Sequence, residues 1–170
     1  SKEVAFRTRN ITIYGQSNGT GQLIASSEKS EAFGTGGYSI TINGGNITAT
    51  SGSNDGIYSN GKPITINGGN VTATSESSDG ISGSKITING GNVTATGGHI
   101  GINGGKITIN GGNVTATGDM FGIYIPHVLN NNDYLITLAG GTVWANSYNG
   151  IVRTYNCWYT NGTNIIQGSK

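Results

Sequence analysis

Apolar and polar residues alternate in short bursts that recur along the chain. Ile-Thr-Ile-Asn-Gly-Gly-Asn-Val-Thr-Ala-Thr stands unchanged at 64–74, 86–96 and 107–117, and at 40–50 with Ile47 in place of Val. A weaker copy, Ile-Thr-Leu-Ala-Gly-Gly-Thr-Val-Trp-Ala-Asn, fills 136–146. Ile-Thr-Ile and Val-Thr-Ala-Thr both have period two, the period of a strand with one buried face. Their β-branched residues suit a pleated surface. Asn-Gly-Gly between them supplies the positive-φ positions of a sharp bend. A third apolar spot follows most copies, at Gly56-Ile57, Gly80-Ile81, Gly101-Ile102, Gly122-Ile123 and Gly150-Ile151. A hairpin would account for the first two strands and leave the third unexplained. No 3.6-residue apolar period is present, and glycine is too frequent for helical repeats.

The copies begin at Ile40, Ile64, Ile86, Ile107 and Ile136, spaced 24, 22, 21 and 29 residues apart. A unit this short cannot bury its own apolar face and must stack on its neighbours. The expected fold is all-β: a right-handed parallel β-helix of about six rungs, with three short strands per rung. The first rung is degenerate and starts near Ile11. Inward positions of a middle rung are Ile64, Ile66, Val71, Ala73 and Ile81, which would form ladders about 4.8 Å apart. The chain reads as one domain, 1–170. Residues 1–10 would be an N-terminal cap, 11–152 the rungs, 126–134 an inserted loop and 153–170 a C-terminal cap or junction. Insertions into such stacks map to one side, often the binding side.

Composition narrows the function classes. The chain has 170 residues, 10% of them charged, with a net charge of +1. No general pull toward nucleic acid follows, and no apolar stretch suits membrane insertion. The 31 glycines lack a collagen register. Cys157 stands alone, so no intrachain disulfide framework is expected. No secretory leader is read at the start, so the chain is expected to be a mature or excised piece flanked by other domains of a larger protein.

The rungs at 40–117, together with Asp55-Gly56-Ile57 and Asp79-Gly80-Ile81, resemble the β-helix carbohydrate-binding domains of clostridial and other Gram-positive cell-surface proteins. These are calcium-binding relatives of the pectate-lyase fold. The resemblance covers somewhat over half of the chain. It implies a secreted or cell-surface protein that binds polysaccharide, with Ca²⁺ as its candidate cofactor. This sequence departs from an unbroken acidic column, because Ile100, Phe121 and Asn149 stand where Asp recurs earlier.

Asp55 and Asp79 are the candidates for chemistry. At matching places in adjacent rungs, their backbones would lie about 4.8 Å apart. Paired carboxylates serve retaining glycosidases, but Asp-Gly is also an ordinary turn element, and no enzyme activity is expected. With Asn54 and turn carbonyls the same acids would make an oxygen cage for calcium. His99 and His127 have no partner at zinc-like spacing in the sequence.

Binding rests on the outward positions. Eight aromatics fall between 121 and 159, against one, Tyr58, between 40 and 117. Trp144 replaces the outward Thr of earlier rungs, as a sugar platform or as packing under the insertion or the cap. The expected site for a polysaccharide or cell-surface glycan has Trp144 and Tyr148 as platforms and Tyr124 as a secondary contact. Asn113 and Thr115 would bond to hydroxyls there. Lys62, Lys85 and Lys106 precede successive Ile-Thr strands. A rival reading is ice binding through Thr48, Thr50, Thr72, Thr74, Thr94, Thr96, Thr115 and Thr117, two columns with regular spacing. A passive solenoid spacer is the third. The expected function is a non-catalytic carbohydrate-binding or adhesive module, weak per site and multivalent.

Overall fold

The computed structural model describes residues 4–16, 21–126, 135–147, 152–153, 157–159 and 163–169, the last three segments and Leu135 in backbone only. All its regular elements are strands. The Val-Thr-Ala-Thr segments and their counterparts form one seven-stranded sheet. Its order is Gln22–Ser27, Asn46–Ser51, Asn70–Ser75, Asn92–Gly97, Asn113–Gly118, Gly141–Ser147 and Thr163–Ser169. Every neighbour pair in it is parallel, and the inward positions of the middle rungs join like to like: Val71, Val93, Val114 and Val143 in one column, Ala73, Ala95, Ala116 and Ala145 in another.

The Ile-Thr-Ile segments and the third strands form a second parallel sheet. Ile40, Ile64, Ile86, Ile107 and Ile136 stack in register. Phe33, Ile57, Ile81, Ile102 and Ile123 make a second ladder. In two rungs the third strand runs straight on into the next Ile-Thr-Ile, giving continuous strands Ile81–Ile88 and Ile100–Ile109. Parallel neighbours about one repeat apart in sequence describe a coil, wound right-handed as such crossovers are. The chain is the parallel β-helix that the repeat predicts.

The core lies between the sheets. Ile64, Ile66, Val71, Ala73 and Ile81 are all 0–1% exposed. Period two therefore sends the expected side chains inward. The corner works differently from the sequence expectation. Of the Gly-Gly pair between the first two strands of each copy only the second has positive φ, as at Gly91 (φ 85°). A Cβ there would stand 2.4 Å from the Gly69 carbonyl oxygen, so glycine is required for close approach as well as for the bend.

The asparagines at the corner build two amide ladders that the sequence reading assigned no role. Asn67 donates Nδ2 to Asn43 Oδ1 at 2.6 Å, Asn89 to Asn67 at 2.7 Å and Asn110 to Asn89 at 2.7 Å. Asn70, Asn92 and Asn113 repeat the pattern onto Asn46, Asn70 and Asn92 at 2.8, 2.9 and 3.0 Å. Identical amides one strand spacing apart bond in this way in stacked parallel sheets.

Stacking continues toward both ends. Phe6–Thr8 pairs with Phe33–Thr35, and the Phe6 and Phe33 rings are 5.4 Å apart. Cys157–Tyr159 pairs with Leu135–Leu138, and Thr163–Ser169 with Gly141–Ser147. The insertion at 126–134, beyond Pro126, lies outside the described residues, as do His127 and Tyr148.

Two substitutions separate the core from the ladders. Val93 is 1% exposed, so Val93→Asp buries an unpaired charge and is expected to abolish the cooperative unfolding transition seen by circular dichroism. Asn89→Ala removes two amide bonds at an exposed corner and is expected to cost about 1–2 kcal/mol in urea unfolding, against less than about 0.5 kcal/mol for Thr94→Ala.

Candidate binding faces

The outer face of the seven-stranded sheet carries three columns. The first runs Gln22, Asn46, Asn70, Asn92, Asn113, Thr142. The second runs Ile24, Thr48, Thr72, Thr94, Thr115, Trp144, and the third Ser26, Thr50, Thr74, Thr96, Thr117, Asn146. None of these residues is charged. Thr72, Thr94 and Thr115 are exposed, whereas Thr50, Thr74, Thr96 and Thr117 are half-buried. The Thr columns expected from the sequence are therefore in register.

Large apolar side chains stand near both ends of the middle column, Ile24 at 64% exposure and Trp144 at 42%. Trp144 follows Thr115 directly, with Asn113 and Thr142 beside them. Asn113 donates one amide N–H to Asn92 at 3.0 Å, and its carbonyl oxygen faces Thr142 in the next strand rather than another Asn, so it is an acceptor for a ligand. Ile24 was missed from the sequence because the first rung departs from the motif.

Tyr124 lies elsewhere, on the second sheet. Its ring stacks on Phe121 at 5.0 Å and 14°. It shares a column with Tyr58, Ser82 and Asn103. The structure thus groups Trp144, Asn113 and Thr115 and leaves Tyr124 apart from them. Lys85 and Lys106 are also on the second sheet and in register, while Pro63 takes the matching place in the rung before, so Lys62 is offset by one residue.

Asp55 and Asp79 fall on adjacent rungs as their spacing predicts. Asp55 Oδ1 accepts from the Ser78 hydroxyl at 2.6 Å and from the Asp79 backbone N–H at 3.1 Å. Asp79 Oδ2 accepts from Asn103 Nδ2 at 2.7 Å. Asp79 Oδ1 is buried without a hydrogen bond, and His99 Nδ1 stands 3.5 Å from it. His99, isolated in sequence, therefore gains a carboxylate neighbour through the coil.

Burial raises both carboxyls above their usual range. For Asp55, Ser78 and the Asp79 N–H oppose the rise and the charges of Asp79 and Glu31 add to it. For Asp79, Asn103 and His99 oppose it. Glu31 heads this acidic column, two residues before Phe33 as Asp55 is before Ile57. The sequence reading missed it because no Gly-Ile follows it; only the register of Phe33 reveals the match.

For calcium, the orphaned Oδ1 of Asp79 is a suitable oxygen, but the other oxygens named are already bonded within the protein. No group of three His, Cys, Asp or Glu side chains is placed to hold a metal among the described residues. These two carboxylates make at most a partial cage, short of the six to eight oxygens calcium takes.

The Beta helix repeat family model matches residues 40–57, 64–85, 86–106 and 107–123. These segments agree with the parallel β-helix fold of the structure. No curated protein and no solved structure matches the chain. The beta-helix segments so matched carry the Asn ladders, most of the Thr columns and both Asp residues, while Trp144 and Glu31 lie outside them.

The raised carboxyls give a pH signature. A carboxyl that holds its proton more tightly when folded contributes stability at low pH, and that contribution is lost as pH rises through and above the usual carboxylate range. Asp55→Asn removes it. The unfolding free energy of Asp55→Asn relative to the parent is expected to improve from about pH 4 to about pH 7, measured by urea titration. A constant difference across that range would show that folding leaves Asp55 unperturbed.

Proposed function

We propose that this beta-helix is a non-catalytic module that binds polysaccharide on the outer face of its seven-stranded sheet, with Trp144 as the stacking platform. The observation that carries this reading is the exposure of Trp144, 42%, at a strand position where the preceding rungs hold Thr. An indole that served only as packing would be covered; an exposed one offers its face to the apolar face of a sugar ring. Thr115, Thr142 and the Asn113 carbonyl supply hydroxyl and carbonyl partners along the row. An uncharged, flat surface favours a neutral chain lying across rungs. Such a surface buries little of its ligand, so each site is weak and avidity comes from many copies. This suits a secreted or cell-surface setting.

Asp55 and Asp79 support a non-catalytic reading because their environments push both in the same direction, whereas acid–base pairs are tuned apart. The in-register Thr-x-Thr columns favour a second reading, an ice-binding face, because a flat regular hydroxyl array with strand spacing is what that requires. Calcium at Asp55 and Asp79 is a lesser proposal, supported by the adjacent carboxylates and the orphaned Asp79 Oδ1 as well as by the resemblance.

Depletion assays on cellulose, xylan and pectin, with and without added Ca²⁺, test the first reading. Trp144→Ala is expected to abolish retention while changing stability by less than about 0.5 kcal/mol. No reducing ends are expected in the supernatant of the parent. Loss of stability with retained binding would make Trp144 a packing residue. Thermal hysteresis that Thr94→Tyr removes and Trp144→Ala spares would establish the ice-binding reading instead.

A further inference from the structure

The second sheet carries a groove near the first rungs, about 200 Å³ in volume, lined among others by Arg7, Glu31, Gly34, Thr35, Tyr58 and Asn60. Arg7, Gly34 and Tyr58 stand in one column, since Arg7 pairs with Gly34 and Gly34 with Tyr58. The glycine leaves the middle place without a side chain. The Arg7 and Tyr58 backbones are then two strand spacings apart, about 9.6 Å. A ring held at van der Waals distance, about 3.5–4.0 Å, from a flat group on each side needs about 7–8 Å. The backbone spacing leaves room for one ring between the Arg7 and Tyr58 side chains, with the guanidinium lying toward Gly36, and with Glu31 and Val4 bordering the place above Gly34. Its volume is below the roughly 300–1,000 Å³ of a drug-sized pocket, which suits a single sugar unit.

The walls are already set. Tyr58 donates its hydroxyl to Asn60 Oδ1 at 2.9 Å, and Asn60 holds a left-handed backbone (φ 44°) that costs free energy unless the surroundings fix it. Thr35 donates its hydroxyl to the Tyr38 carbonyl. Glu31 Oε2 accepts from the Ser30 hydroxyl at 2.6 Å, leaving Oε1 for a ligand. Arg7 makes no ion pair among the described residues, so its guanidinium donors are available. Arg7 and Glu31 both line the slot, so their charges offset each other and suit an uncharged sugar better than an anionic one.

We propose that this slot binds one uncharged pyranose unit, sandwiched between Tyr58 and Arg7, with Glu31 accepting from its hydroxyls. The slot is separate from the Trp144 face and shares with that reading only the class of ligand.

Two glycines allow clean tests. A Cβ at Gly34 would lie 3.4 Å from Glu31 Cβ and from Val4 Cγ1, so Gly34→Ser fits with small adjustment and plugs the slot. A Cβ at Gly36 would lie 2.9 Å from Arg7 Nη2, the mobile tip of that side chain, so Gly36→Ala pushes the guanidinium aside. Cellotetraose, xylotetraose, maltotetraose and trigalacturonate are titrated into the full chain and followed by backbone amide NMR.

At least one neutral tetrasaccharide is expected to move the Gly34, Gly36 and Asn60 signals, in the parent and in Trp144→Ala alike. Gly34→Ser, Gly36→Ala and Tyr58→Ala are each expected to weaken that site about tenfold or more. Cooperative unfolding of the two glycine variants checks that they fold. The proposal is overturned if no neutral sugar moves these signals at about 10 mM, if trigalacturonate binds the slot more tightly than all three, or if the glycine variants fold and bind as the parent does. Signals moving only around Trp144 would remove the slot and leave the face; signals moving only at the slot would do the reverse.

Discussion

Everything in this molecule depends on identical backbone stretches lying in parallel register, about 4.8 Å apart. That spacing places Ile on Ile, Val on Val and Ala on Ala through the core. It also places amide on amide at the corners, where each Asn reaches the one before it within 2.6–3.0 Å. A slip of one residue would turn Val93 outward and Thr94 inward and break both ladders at once. Core and corner therefore specify the same register, and that agreement gives the coil a single structure.

Register also sorts chemistry between the two outer faces. The seven-stranded sheet shows Asn, Thr and finally Trp144, without charge. The second sheet carries Arg7, Lys85 and Lys106, and the turns leading into it carry Glu31, Asp55 and Asp79. A ligand that stacks on a neutral surface and one that needs paired donors and acceptors would meet different sides of the same solenoid.

The coil and its inward residues were legible in the sequence because exact repetition reports periodicity directly; Ile64, Ile66, Val71, Ala73 and Ile81 are all in the core. The Thr columns followed from the same count. Other features required three dimensions. The Asn ladders look like turn chemistry in one dimension, since Asn-Gly-Gly is a good bend whether or not its amides bond. Glu31 and Ile24 sit in degenerate early rungs and show their columns only through pairing with Asn46–Ser51 and Ile57–Tyr58. His99 meets Asp79 because the coil returns the chain to the same side about twenty residues later. Tyr124 was grouped with Trp144 on the strength of composition along the chain, and the sheets separate them.

The continuous strands Ile81–Ile88 and Ile100–Ile109 hold a further meaning. Lys85 pairs with Lys106, and every following residue to Ile88 pairs with its counterpart to Ile109. Residues 86–106 are thus a cassette with matching ends: joining 85 to 107 would restore the same sequence across the junction that 106 and 107 make now. Repeats this alike in protein are prone to be alike in their coding DNA, where misaligned recombination gains or loses whole copies. For this fold such an event changes length and leaves register intact. The area of the outer faces then becomes a quantity that heredity adjusts in whole rungs, with the core ladders rejoined like to like.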